Sequence, residues 1–153
     1  MSRTEYKLKG VAEEIQKTYP QCEKIDFLAV DFSRLDIYEE IGAKLNSLEG
    51  QVKVLVNNVG IMPALPEYFH LQAPPGYHQR LINVNISAAT NMLSLVFPMM
   101  LKAEVDKKNP VKGVVINISS SVSHAPLPLL STYSACKEFI NWIFKIEFYL
   151  LEL

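Results

Sequence analysis

Hydrophobic positions along this chain switch repeatedly between helical and extended spacing. Leu8, Val11, Ile15 and Tyr19 recur at three or four residues, one face of a helix that Pro20 ends. The apolar run Ile25 to Phe32 then reads as a strand. Ser33 and Asp36 have the spacing of a capping box before a helix carrying Ile37, Ile41 and Leu45 and ending near Gly50. Val52 to Val56 reads as the next strand, followed by a loop holding Pro63, Pro66, Pro74 and Pro75. A long helix is expected from about Tyr77, with Pro98 as the place where it bends. Lys107 to Pro110 reads as a surface loop, Gly113 to Ser119 as a third strand, and a helix from about Ser131 closes the chain. Strands alternating with helices predict a parallel sheet with helices on both faces, an α/β fold.

Candidate chemistry sits where the last strand meets the last helix. In Tyr133-Ser-Ala-Cys-Lys137, four residues of helix put a phenol and an ammonium on one face. Ser120, at the end of the strand Val114 to Ser119, can bring a hydroxyl to the same point. A phenol is a poor acid or base at neutral pH, its unperturbed pKa being about 10. A neighbouring cation favours the phenolate, and a phenol so tuned can give a proton to a ketone or take one from an alcohol. That is chemistry for proton transfer coupled to hydride transfer. A bare Tyr-x-x-x-Lys also arises as an ordinary helix-surface pair, so other motifs must weigh in. Asn57-Asn58-Val59-Gly60 closes the strand Val52 to Val56, and Gly60 lets the backbone turn sharply and approach a ligand.

Together these elements resemble the short-chain dehydrogenase/reductase family, from about Ser2 to about Phe144. Leu55-Val-Asn-Asn-Val-Gly-Ile-Met-Pro63, Asn85-Ile86, and Asn117-Ile-Ser-Ser120 before Pro126-Leu-Pro128 look like one branch of it. That branch holds the 17-beta-hydroxysteroid dehydrogenases of types 3 and 12 and the very-long-chain 3-oxoacyl-CoA reductases. The resemblance implies a partial Rossmann-like doubly wound parallel sheet, lacking the first two strands and the last strands, in a single incomplete domain over residues 1–153.

The resemblance also implies roles. Tyr133 would donate the proton, Ser120 would polarise the carbonyl, Lys137 would favour the phenolate and bond the nicotinamide ribose, and Asn85 would hold a water near the lysine. Read from the residues alone, Asn85 is first an ordinary buried asparagine bonding a helix carbonyl, a preference the resemblance reverses, with Asn83 two positions away as the rival assignment. The implied cofactor is NADP(H), with Arg3 meeting the 2′-phosphate, Asp31 the adenine, and Asn57 and Gly60 the adenosine ribose. The chain has no G-x-G-x-x-G, T-G-x-x-x-G or P-loop to take a pyrophosphate. Its tail, Glu147 to Leu153, departs from the branch pattern and reads as a foreign ending.

Composition narrows the field further. A net charge of -1 with a fifth of residues charged gives no basic surface for nucleic acid. Cys22 and Cys136 are too few for a disulfide framework or zinc site and read as reduced thiols. His70, His78 and His124 lack metal-ligand spacing, so no metal is expected. Leu81 to Leu101 is uncharged but holds three asparagines, which argues for a buried or interface helix rather than a membrane span.

Two functions of different class follow. One is an NADP(H)-dependent reductase of a steroid ketone or a long-chain 3-oxoacyl thioester, taking a hydrophobic small molecule. The other is a non-catalytic fragment keeping the subunit-contact helices, pairing as a homo-oligomer or with a full-length relative. The branch implies the endoplasmic reticulum, whereas the polar start of this chain would leave it in the cytosol. In the doubly wound order the first remaining strand would lie about 14 Å from the next, three strand spacings. The chain alone is therefore expected not to melt as a cooperative unit.

Overall fold

The computed structural model describes residues 1–48, 52–71, 74–104, 112–125 and 127–151, with the side chains of 104 and 144–151 left aside. The chain divides into two compact units, Met1–Ser47 and Leu48–Leu153. The expected loop Lys107 to Pro110 and the expected helix end at Gly50 lie outside the described residues.

In the first unit, helix α1 spans Glu5–Thr18, as the apolar spacing predicts, with Glu5 in its first turn and Lys17 in its last to suit the helix dipole. None of its residues is buried, and Val11 and Ile15 stay exposed. The apolar run Ile25 to Phe32 does not form a strand. It makes one parallel bridge, Ser2 to Ala29, closed by Val30 N–H donating to Ser2 C=O at 2.9 Å. A ladder needs a neighbour along its length, and among the described residues only Ser2 supplies one. The expected capping box is also absent. Helix α2, Tyr38–Asn46, starts after Ile37 with no side-chain cap. Asp36 is drawn instead to the Arg34 guanidinium, whose Nε donates to it at 2.9 Å. Ile37, Ile41 and Leu45 are buried together with Val30 and Phe32, which gives this unit its small core.

The second unit is built on two parallel strands, β1 (Val54–Asn57) and β2 (Val114–Asn117), rich in the branched residues that suit a pleated surface. Their register pairs Val54 with Val114 and Asn57 with Asn117, so both strands end level. Leu55 is buried on one face, where the sheet meets the long helix. Val54, Val56, Val114 and Ile116 are exposed on the other, although parallel sheets are ordinarily covered on both sides. Among the described residues nothing covers that face.

The long helix begins at Tyr77 as expected, but in three pieces. Helix α3 (Tyr77–Ile82) passes into a π turn, Asn83–Ser87, and then into helix α4 (Ala88–Glu104). The departure from α geometry thus falls at the asparagines, and α4 continues through Pro98. Tyr77–Ala103 is long and apolar enough to cross a membrane by length and composition. Its buried stripe of Leu81, Val84, Ala88, Met92, Val96, Met100 and Ala103 is that of a core helix with one inward face.

Gly113 leads into β2 against this helix. A Cβ there would lie 2.9 Å from Met100 Cβ, Cγ and Sδ together. Met100 Cβ cannot swing away, so Gly113→Ala is expected to cost about 1–2 kcal/mol by overpacking, less the few tenths gained from a stiffer unfolded chain. Urea unfolding monitored with NADPH present and absent measures it. Helix α5, Ser131–Leu151, closes the chain and packs on α3, the π turn and the short Ser121–Ser123 turn after β2.

Candidate active site

The level ends of β1 and β2 place two asparagines opposite each other, and Asn57 Nδ2 donates to Asn117 Oδ1 at 2.8 Å. Beyond β1 the backbone turns at Gly60. A Cβ at Gly60 would come within 2.9 Å of Asn85 Oδ1 and 3.4 Å of Lys137 Nζ. Glycine is required here because the Asn85 amide oxygen and the Lys137 ammonium fill the place a side chain would take.

Asn85 lies in the middle of the π turn and is 2 % exposed. Its amide is fully engaged: Nδ2 donates to Ile61 C=O at 2.8 Å and Leu81 C=O at 2.9 Å, and Oδ1 accepts from Ile61 N–H at 3.2 Å. The side chain therefore clamps the turn after Gly60 to the long helix. Single π turns often occur at functional sites, where the extra residue re-aims its neighbours. Asn83, the rival assignment, bonds Gln79 of its own helix at 2.8 Å.

Lys137 is buried, and its ammonium donates to Ile118 C=O at 2.8 Å just past β2. The Tyr133 ring, half-buried one turn earlier on α5, has its centroid 5.8 Å from the same nitrogen. Burial pushes the Lys137 ammonium below its ordinary value of 10.5. The unfolded chain then binds more protons between the lowered value and 10.5, so this group's contribution makes stability rise with pH in that window. Comparing unfolding free energy across that range in wild type and Lys137→Met checks it, because the variant is expected to lose that part of the slope. Burial also pushes the neighbouring Cys136 thiol up, which keeps it protonated and unreactive.

Ser120 follows β2 in extended conformation, φ -156° and ψ 153°, and is half-buried at the start of the Ser121–Ser123 turn. Ser119 Oγ donates to Lys137 C=O at 3.0 Å, so the end of β2 is laced to α5 on both sides of the lysine. The apolar loop before α5 is anchored by Glu67 N–H donating to Leu129 C=O at 3.3 Å. Leu129 adopts φ 68°, a left-handed conformation that costs a side-chain-bearing residue about 1–2 kcal/mol. At the first turn of α5, Thr132 Oγ1 lies 2.9 Å from His78 Nδ1, whose ring stacks on Phe69.

The structure thus gathers Gly60, Asn85, Tyr133 and Lys137, with Asn57 and Ser120 at the adjoining strand ends. Arg3 and Asp31 lie in the first unit. Arg3 directly follows the Ser2–Ala29 bridge, and the Asp31 carboxylate accepts from Ser33 N–H at 2.9 Å. Sequence reasoning missed Asn117 as the partner of Asn57. Its signal was the shared ending of Val54-Leu-Val-Asn57 and Val114-Val-Ile-Asn117.

A site at the carboxyl ends of parallel strands, backed by helices, is the layout of a Rossmann-type α/β fold. Residues 1–146 match the family model described as short chain dehydrogenase, and the chain belongs to that family. It is similar to very-long-chain 3-oxoacyl-CoA reductase-A of Danio rerio, 39 % identical over 143 residues that cover 93 % of this chain and 41 % of that protein. It is equally similar to 17-beta-hydroxysteroid dehydrogenase type 3 of Homo sapiens, 41 % identical over 141 residues, covering 92 % of this chain and 41 % of the relative. The chain therefore spans about two fifths of the length of these curated relatives. Among solved structures, a metagenomic short-chain oxidoreductase in complex with NADP superposes with a TM-score of 0.81 at 26 % identity, over 99 % of this chain and 63 % of that one. None of these names supports a non-catalytic reading.

Proposed function

We propose that this chain carries the catalytic half of an NADP(H)-dependent reductase acting on the keto group of a steroid or a long-chain 3-oxoacyl-CoA. The observation that carries the reading is the convergence on Gly60 of the Asn85 amide and the buried Lys137 ammonium, with the Tyr133 ring beside that ammonium. The names of the relatives supply both substrate classes, and the structure solved with NADP supplies the cofactor.

The residues present fit the ribose side of such a cofactor. An ammonium has three donors, and Lys137 uses one of them on Ile118 C=O, which leaves N–H groups for ribose hydroxyls beside the side-chain-free Gly60. By the family resemblance alone, Asn57 and Gly60 would meet the adenosine ribose, Asp31 the adenine and Arg3 the 2′-phosphate. NADPH, when bound, supplies the hydride. Tyr133 Oη gives its proton to the carbonyl oxygen as that oxygen gains charge, and the Lys137 ammonium stabilises the phenolate left behind. The Ser120 hydroxyl donates a hydrogen bond to the same oxygen, stabilising its developing charge. Asn85 holds the Gly60–Ile61 turn in place and supports proton resupply from solvent near Lys137. The location we assign is the endoplasmic reticulum, on the resemblance to the 17-beta-hydroxysteroid dehydrogenase and 3-oxoacyl-CoA reductase branch alone. Exposed Leu101 on α4 and Phe139 and Trp142 on α5 support the reading, implied by the resemblance, that these helices form a subunit contact.

The test is the consumption of NADPH, with NADH in parallel, by the purified chain given a 17-oxo steroid or a long-chain 3-oxoacyl-CoA. Formation of the matching alcohol with a preference for NADPH is expected. If neither substrate class is reduced with either cofactor, the reading is wrong.

A further inference from the structure

A line of hydrogen bonds behind the candidate site ends on the backbone of Ser120 and has no place in the roles assigned above. Asn141 Nδ2, on α5 one turn past Lys137, donates to Ser123 Oγ at 2.8 Å and to Glu138 Oε2 at 3.0 Å. Ser123 Oγ in turn lies 2.6 Å from Ser120 C=O. The direction of the line follows from chemistry. An amide nitrogen can only donate, so Ser123 accepts from Asn141 and must send its own hydrogen to Ser120. Glu138, an acceptor as its carboxylate, holds the second amide hydrogen and keeps the amide from turning its oxygen toward Ser123.

We infer that Asn141 and Ser123 are positioning residues that fix Ser120 against the helix carrying Tyr133 and Lys137. Ser120 C=O receives two donors from Ser123, its hydroxyl at 2.6 Å and its backbone N–H at 3.1 Å. That pins the peptide plane after Ser120, and with it the ψ of 153° that aims the side chain. The residue before Ser120 is tied separately, since Ser119 Oγ donates to Lys137 C=O at 3.0 Å. Lys137 and Asn141 are successive positions on one face of α5, so Ser120 is held from both sides by the same face. Ser123, the middle of the line, is 9 % exposed, which shields its own bond to Ser120 from exchange with water. A carbonyl-polarising hydroxyl must be placed to a fraction of an ångström, and a rigid helix does this better than a free loop.

The inference rests on the reductase reading, and its test separates the two. Asn141→Leu removes the donor at nearly constant volume, Ser123→Ala removes the relay, and Ser123→Thr keeps the hydroxyl. Turnover with the keto substrate and the NMR carbonyl shift of Ser120 are read in each. Asn141→Leu and Ser123→Ala are expected each to lower kcat about tenfold with KM for NADPH unchanged, and to move the Ser120 shift. Their combination should be no worse than either alone, and Ser123→Thr should retain wild-type values. An unchanged kcat in Asn141→Leu overturns the inference, whether or not the shift moves. Should the wild-type chain reduce no keto substrate, the reductase reading fails by itself. The Ser120 shift then decides: moved in both variants, the tie stands; unmoved, it is refuted.

Discussion

Tyr133→Phe is expected to lower kcat by about 10²–10⁴-fold while NADPH still binds. The substitution removes one oxygen from a half-buried ring and leaves the ring's place beside Lys137 Nζ intact. No buried partner is orphaned by it, so stability should hold. The loss is the proton donor itself, since a phenyl ring has nothing to give the carbonyl oxygen. Lys137→Met differs in kind. It removes the charge that favours the phenolate and the donors that face the ribose, so both NADPH affinity and turnover should fall. The pair of variants therefore separates proton delivery from cofactor placement. Single-turnover reduction followed at saturating NADPH measures the first, and a binding titration the second. A Tyr133→Phe enzyme within a factor of a few of wild type would remove Tyr133 from the mechanism.

How much of this was legible beforehand depends on the range of the interactions involved. Tyr133 and Lys137 sit at helical spacing, so their shared face is a local property and the sequence displays it. The strands Val54–Asn57 and Val114–Asn117 and the helix from Ser131 are equally local, set by branched apolar runs and period. The run Ile25 to Phe32 is also largely apolar yet forms only a bridge, because strand structure belongs to a pair and its pairing reduces to Ser2. Asp36 has capping-box spacing, but Arg34, two residues away, holds its carboxylate more strongly than an uncharged N–H would. The Asn57–Asn117 contact spans sixty positions and exists only through the register of two parallel strands. The Asn141–Ser123 contact likewise depends on how α5 packs on the turn after β2.

Those non-local contacts share a pattern. The catalytic candidates are read from motifs, while what aims them is a set of short-range polar ties between elements far apart in sequence. Lys137 is tied to Ile118 and Ser119, Asn57 to Asn117, and Asn85 to Ile61. Each tie joins the carboxyl end of a strand, or the turn after it, to a helix or to the other strand, on the side of the sheet where open α/β folds place their ligands. The π turn belongs to the same set. Asn83, Val84 and Asn85 are all buried in succession, a wider inward face than an α-helix presents, and it is this widening that brings the Asn85 amide to the Gly60 turn.

Asn85→Leu should accordingly be the most damaging substitution for the fold of the site. Leucine matches the volume, so the cost isolates the polar ties from any cavity. Three hydrogen bonds vanish at once: Ile61 N–H and Ile61 C=O lose the Asn85 amide, and Leu81 C=O, inside its helix, loses one donor. Each buried group left unpaired costs about 1–3 kcal/mol, but Ile61 is half-buried and water can serve part of it. The total expected is about 2–4 kcal/mol, a large share of the stability of a small domain. Chemistry should suffer beyond that. Without the clamp the Gly60–Ile61 turn is free to shift, and the space above Lys137 Nζ, 3.4 Å from where a Gly60 Cβ would stand, is no longer defined. NADPH should then protect the variant from thermal unfolding less than it protects wild type, over and above the loss in baseline stability. Melting curves at several NADPH concentrations measure both quantities in one experiment. A variant that melts lower yet keeps the full NADPH-dependent rise would assign Asn85 to the fold alone, whereas a diminished rise places it in the cofactor site as well.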